Sequence, residues 1–173
     1  MSIQQLAKNK PLQIPATIIT IFLMILFPFI IHLIGGPVAG ARWLPIFYAP
    51  FVAAVLFRPG VAIVAALSAP FLNHLITGAP PLPMVVVLSF QLVLFGIIVN
   101  QLVRRWPAFW GAAPLAYLLA LASSTILLAV LPISLLPVSP WQFFSTSILS
   151  ALPGLLVLLL INWLLLKGMQ RAA

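Results

Sequence analysis

The 173-residue chain contains no aspartate, no glutamate and no cysteine. Without carboxylates it cannot assemble a general acid–base pair, a cage for a hard cation, the usual proton relay or an ATP-hydrolysing site. Without cysteine, disulfides, thiolate nucleophiles and thiolate metal sites are excluded as well. Two histidines and four methionines fall short of a transition-metal site, and no Gly-x-Ser-x-Gly elbow accompanies the histidines. The chain therefore reads as a protein without enzymatic activity, resident cofactor or metal, and any active transport it serves must draw energy from a partner.

Charge of either sign is scarce: 5% of residues are charged, all Lys or Arg, while 64% are hydrophobic. An ordinary soluble domain is about 25% charged and could not be covered by so little polar surface. The formal charge of +8 does not indicate nucleic acid, because the basic residues stand singly or in pairs at the ends of apolar runs rather than clustering on one face. Lipid is the solvent this composition suits.

A hydrocarbon core of about 30 Å takes about 20 apolar residues per helix. Six runs punctuated by Pro, Gly and Arg are expected as helices: Ile14 to Leu33, Pro45 to Phe57, Gly60 to Thr77, Met84 to Val103, Ala112 to Leu131 and Trp141 to Leu166. The expectation is an all-α integral membrane protein, one six-helix bundle in a single domain spanning residues 1–173. Pro28 should bend the first helix. The second run is too short to cross alone and is best placed where protein or a cavity surrounds its end. Ala62, Ala65, Ala66 and Ala69 allow close helix contact in the third. The basic lead, first run and Ala39-Gly40-Ala41 imitate a secretory signal, but the run exceeds the roughly 7–15-residue core of such signals and is expected to stay uncleaved.

Orientation follows from the basic residues. Lys8, Lys10, Arg58, Arg104, Arg105, Lys167 and Arg171 fall on one side of the expected bundle, and Arg42 alone on the other. Under the positive-inside rule both termini are cytoplasmic. At 1.5 Å per residue, Asn73 and His74 then lie about 5 Å below the outer surface and Gln91 about 10 Å below it. His32 is expected at the outer end of the first helix, near Arg42. Pro70, His74 and Thr77 share one helical face, as do Met84, Leu88, Gln91 and Phe95.

Each polar residue has two readings. Arg42 either snorkels to lipid headgroups or, as the lone charge on its face, anchors an anionic or polar solute group. Asn73 and His74 either bond loop carbonyls at a helix end or contact a ligand. Gln91 either ties helices together or recognises a solute, whereas Asn100 and Asn162 read as packing or capping groups. Trp43, Tyr48 and Trp141 suit a membrane interface, and the same residue types would wall a pocket for a flat solute.

The segments Arg42 to Ile46, Ala53 to Gly60, Leu67-Ser68-Ala69-Pro70-Phe71-Leu72-Asn73-His74-Leu75-Ile76-Thr77-Gly78-Ala79-Pro80-Pro81 and Gln91 to Gly96 resemble substrate-binding S components of energy-coupling factor transporters. The resemblance covers about a third of the chain. It implies a small six-helix protein of the prokaryotic cytoplasmic (inner) membrane. Such a protein captures a vitamin or related micronutrient at the outer face and docks on a transmembrane coupling protein driven by two cytoplasmic ATPases. Carried onto this chain, Arg42, Asn73, His74 and the 78–81 turn would form the pocket and its lid; on the reading of the residues themselves, Gln91, Thr77, His32 and Trp43 complete the candidate binding set. Three features depart from the family pattern. Gln91 stands where relatives often carry glutamate, the first run contains one alanine rather than an alanine-x-x-x-alanine motif, and Met1-Ser2-Ile3 lacks a methionine-histidine start. The alternative class is a membrane scaffold or assembly factor that uses the same polar residues as helix glue.

Overall fold

The computed structural model of the protein describes residues 10–78, 80–130 and 139–171. The expected polar lead, most of the proline-rich stretch after the fifth run and Ala79 of the expected lid lie outside the described residues. Among those described there are helices and no strands: α1 (Lys10–Trp43), α2 (Pro45–Leu56), α3 (Pro59–Thr77), α4 (Leu82–Arg105), α5 (Ala112–Val130) and α6 (Pro140–Arg171). Six segments within them are long and apolar enough to span a bilayer, which makes the protein a multi-pass, all-helical membrane protein.

Proline and glycine set the helix boundaries. Pro45, Pro59 and Pro83 stand in the first turns of α2, α3 and α4, where a missing N–H costs nothing. Gly78 ends α3 in the left-handed conformation (φ 73°) and returns its N–H to the His74 carbonyl at 2.8 Å. The Ser139 hydroxyl caps α6 by accepting from the Gln142 N–H at 3.2 Å.

The second span differs from expectation. Helix α1 breaks at Gly36 (φ 71°) and helical structure resumes at once, so the second crossing is Val38–Leu56, 19 residues long. It is broken again at Leu44, the one non-glycine residue with positive φ (51°) among the described residues. Gly35-Gly36-Pro37 therefore makes a sharp corner, and Arg42 and Trp43, expected in a loop, occupy the last turn of a helix.

Helix α2 packs against α1, α3, α4 and α6 and is the most buried element of the bundle. A span of this shape suits the centre, where protein and not lipid surrounds its irregular backbone. Small residues let the neighbours close in. Ala62, Ala65, Ala66 and Ala69 of α3 are fully buried, and a Cβ on Gly96 of α4 would come within 3.3 Å of the Ala62 methyl. Gly154 of α6 goes further: a Cβ there would fall 2.7 Å from the Trp43 carbonyl carbon and 2.7 Å from Leu44 Cγ. The break in the second span is thus pressed directly onto α6. Outward faces are apolar, as with Leu149, Leu152, Leu156, Leu160 and Trp163 of α6, which recur every three or four residues.

One end of the bundle carries the corner at Gly36 and the end of α3 at Gly78, and the other the 56–59 and 105–112 connections. At the second end the helices are tied by long-range bonds. Asn100 Nδ2 donates to the Ala54 carbonyl at 2.7 Å, joining α4 to α2. Asn162, fully buried on α6, donates from Nδ2 to the carbonyls of Phe109 (3.2 Å) and Trp110. Both asparagines have the packing and capping roles read from the sequence. Two cations at this end lie on aromatic faces, Arg105 over Trp106 and Lys167 over Trp163.

Candidate functional site

The opposite end opens into a cavity of about 610 Å³, within the range of small-molecule sites. Its lower wall is aromatic. Phe47 of α2 meets Phe95 of α4 and Tyr117 of α5 edge-on, each at a centroid distance of 5.1 Å, and Phe51 supports Phe95 at 6.5 Å. Phe47 and Tyr117 face the cavity, and Phe95 and Phe51 lie behind them, fully buried. Such edge-to-face contacts fix ring orientation and make this wall rigid.

Gln91 sits on that wall, 5% exposed, and shares a side-chain hydrogen bond with the hydroxyl of Tyr117, itself 3% exposed. Helix α4 brings Met84 and Leu88 to the same cavity, two turns and one turn before Gln91, which fixes the face it presents. From α6 come Phe143, Thr146, Ser147 and Ser150. Their spacing of three, four and seven residues is that of a single helical stripe. The Thr146 hydroxyl donates to the Gln142 carbonyl at 2.6 Å.

The wall nearest the connections holds His32, Asn73, Thr77 and Pro80. His32 Nδ1 donates to the Pro28 carbonyl at 2.7 Å, and its ring lies flat against Gly40, where a Cβ would collide with the imidazole. A carbonyl only accepts, so Nδ1 carries a proton. The Thr77 hydroxyl donates to the Asn73 carbonyl at 2.7 Å. His74 Nδ1 donates to the Pro80 carbonyl at 2.8 Å, tying the end of α3 to the turn that edges the cavity.

Backbone chemistry adds acceptors. Pro45 and Pro50 have no N–H to donate to the carbonyls of Ala41 and Ile46, four residues earlier, and both Ala41 and Ile46 line the cavity. Carbonyls released from the helical ladder in a membrane protein are tolerated where they border a cavity.

Of the residues proposed from the sequence, His32, Asn73, Thr77 and Gln91 converge on the cavity. Arg42, Trp43 and His74 are not among its lining residues. Arg42 and Trp43 lie exposed in the last turn of α1, with Ala41 and Leu44 on either side turned inward, and the Trp43 carbonyl accepts from the Tyr48 hydroxyl. Tyr117, Phe47 and the α6 stripe were not singled out in the sequence. The stripe was detectable, since Phe143, Thr146, Ser147 and Ser150 follow helical periodicity, but nothing local distinguishes Tyr117 from an ordinary buried aromatic.

No lysine or arginine is among the lining residues, and no cluster of three metal-ligating side chains occurs among the described residues. The site can therefore offer shape, aromatic surface and hydrogen bonds. Comparison of the chain with family models, with curated proteins and with solved structures finds no match.

Proposed function

We propose that the protein is the solute-binding subunit of an importer of the energy-coupling factor type, a multi-pass protein of a prokaryotic cytoplasmic membrane. It captures a vitamin or related micronutrient at the outer face and passes it on with ATP-driven partner subunits. The observation that carries this reading is the cavity of about 610 Å³ at one end of the bundle, bordered by aromatic rings, hydroxyls and the amides of Asn73 and Gln91. A scaffold whose polar residues served as helix glue would have no use for so large a gap between them. The distribution of basic residues supports placing the cavity end outside and both termini inside.

The absence of carboxylates supports the dependence on partners, because a chain without Asp or Glu cannot hold the magnesium of an ATPase or run the usual proton relay. A transmembrane coupling protein and two cytoplasmic ATPase subunits would supply the energy. Gentle purification of the tagged full chain from its native membrane tests the reading. Recovery of an ATPase–coupling-protein complex together with a stoichiometric small molecule is expected. A stable, ligand-free association with an unrelated membrane complex would sink the transport reading in favour of a scaffold.

A further inference from the structure

We infer that the solute held in this cavity is uncharged and carries a planar edge on which an N–H donor and a carbonyl acceptor stand side by side, and that Gln91 reads that edge. The inference rests on the cavity being the solute site, and it narrows the chemistry of what binds there.

The charge argument comes first. Moving an ion from water into an apolar site costs several kcal/mol unless an opposite charge or a metal meets it. A cationic solute would need a carboxylate, and the chain has none. An anionic solute would need a lysine or arginine in the wall, and none is there; Arg42 lies in the exposed turn beside it. The polar groups that the wall offers are amides, hydroxyls, backbone carbonyls and the His32 imidazole, with no carboxylate, lysine or arginine among them.

The edge argument follows from what those groups are. A primary amide presents two N–H donors and a carbonyl with two lone pairs. One bond between Gln91 and the Tyr117 hydroxyl fixes the plane of the amide and leaves it capacity for a second partner. The surface complementary to a fixed amide is another planar donor–acceptor pair, the pairing by which glutamine and asparagine read a base edge in nucleic acids. Phe47 and Tyr117 flank this point and offer rings for a flat solute to pack against. The carbonyls of Ala41 and Ile46, freed by Pro45 and Pro50, accept further N–H groups. The solute class is thus a neutral heterocycle of the lactam, ureide or pyrimidinone kind. Gln91 contacts it directly, and Tyr117 is a positioning residue that acts through Gln91.

The experiment uses the full chain in lipid nanodiscs and three probes that share one bicyclic ring system: 2-quinolone, 1-methyl-2-quinolone and quinoline-2-carboxylate. The first has the paired edge, the second has lost its donor and the third is an anion. Intrinsic tryptophan fluorescence and thermal stability report binding, and mass spectrometry identifies any solute released on denaturation. The expected result is that 2-quinolone binds at least about tenfold more tightly than either analogue, the discrimination one bidentate pair supplies. Gln91→Leu should erase the preference for 2-quinolone over its methyl analogue. Tyr117→Phe, which keeps the ring and removes only the hydroxyl, should reduce it severalfold without lowering the melting temperature of the unliganded protein. A released solute should be uncharged at neutral pH. Equal or tighter binding of the carboxylate, a preference that survives both substitutions, binding of none of the probes at millimolar concentration, or a charged native solute would each overturn the inference. A charged native solute recovered with an ATPase complex would do so while leaving the transport reading intact.

Discussion

The two ends of the bundle use polar side chains in opposite ways. At the end carrying the 105–112 connection, the amide groups of Asn100 and Asn162 reach across the fold to carbonyls 46 to 53 residues away in sequence. At the cavity end, His32, His74, Thr77 and Thr146 make hydrogen bonds to carbonyls three to six residues away. Long-range bonds pin helices together, whereas local bonds satisfy a side chain without bridging a gap. The second end can remain open for that reason. Gln91 and Tyr117 form a cross-helix pair at the bottom of the open end. They mark the depth at which the bundle closes.

The contrast can be broken most severely at Gly154. Leucine there has no space against the Trp43 carbonyl and Leu44, and about 3 kcal/mol of overpacking is expected, seen as a large drop in the thermal midpoint of the solubilised protein. Asn162→Leu comes next. It orphans the carbonyls of Phe109 and Trp110 but also removes the unpartnered Asn162 Oδ1, so a net loss of about 2 kcal/mol is expected, with solute affinity per folded molecule unchanged. Asn100→Leu cuts one bond, to Ala54, and should cost about 1 kcal/mol in the same assay, again without altering affinity. If either asparagine variant weakened solute binding while the fold survived, the separation between a structural end and a binding end would fail. Arg42→Ala, an exposed change outside the cavity wall, should move stability by less than about 0.5 kcal/mol and binding by less than about twofold. A large loss of binding in that variant would restore Arg42 as an anchor and contradict an uncharged solute.

Much of this architecture can be read in the sequence because run length and hydrophobicity are properties of the chain itself. The alanines of α3 announce a close helix contact, and the polar residues His32, Asn73, Thr77 and Gln91 stand out in apolar surroundings for which they need a reason. What escapes is whatever depends on rotation about a helix axis. Arg42 and Ala41 are adjacent in sequence, yet Ala41 turns to the cavity and Arg42 away from it, a choice made by the corner at Gly36 and the break at Leu44. Gly35-Gly36-Pro37 has the composition of a loop, but a single left-handed glycine suffices for the corner, and the residues after it resume the helix. Tyr117 escapes for a related reason: its importance lies in facing Gln91 from another helix, and no local spacing encodes that.

Leu44 and Gly154 give the open end a property beyond its shape. Leu44 lies on the inner wall of the cavity, and behind it Gly154 lies directly against the Trp43 carbonyl and the Leu44 side chain. The volume available to a solute is therefore set in part by an atom that no solute can touch. Residue 154 acts as a shim: enlarging it from behind pushes the Leu44 wall inward, so the calibre of the cavity can be changed through α6 while every group that contacts the solute keeps its identity.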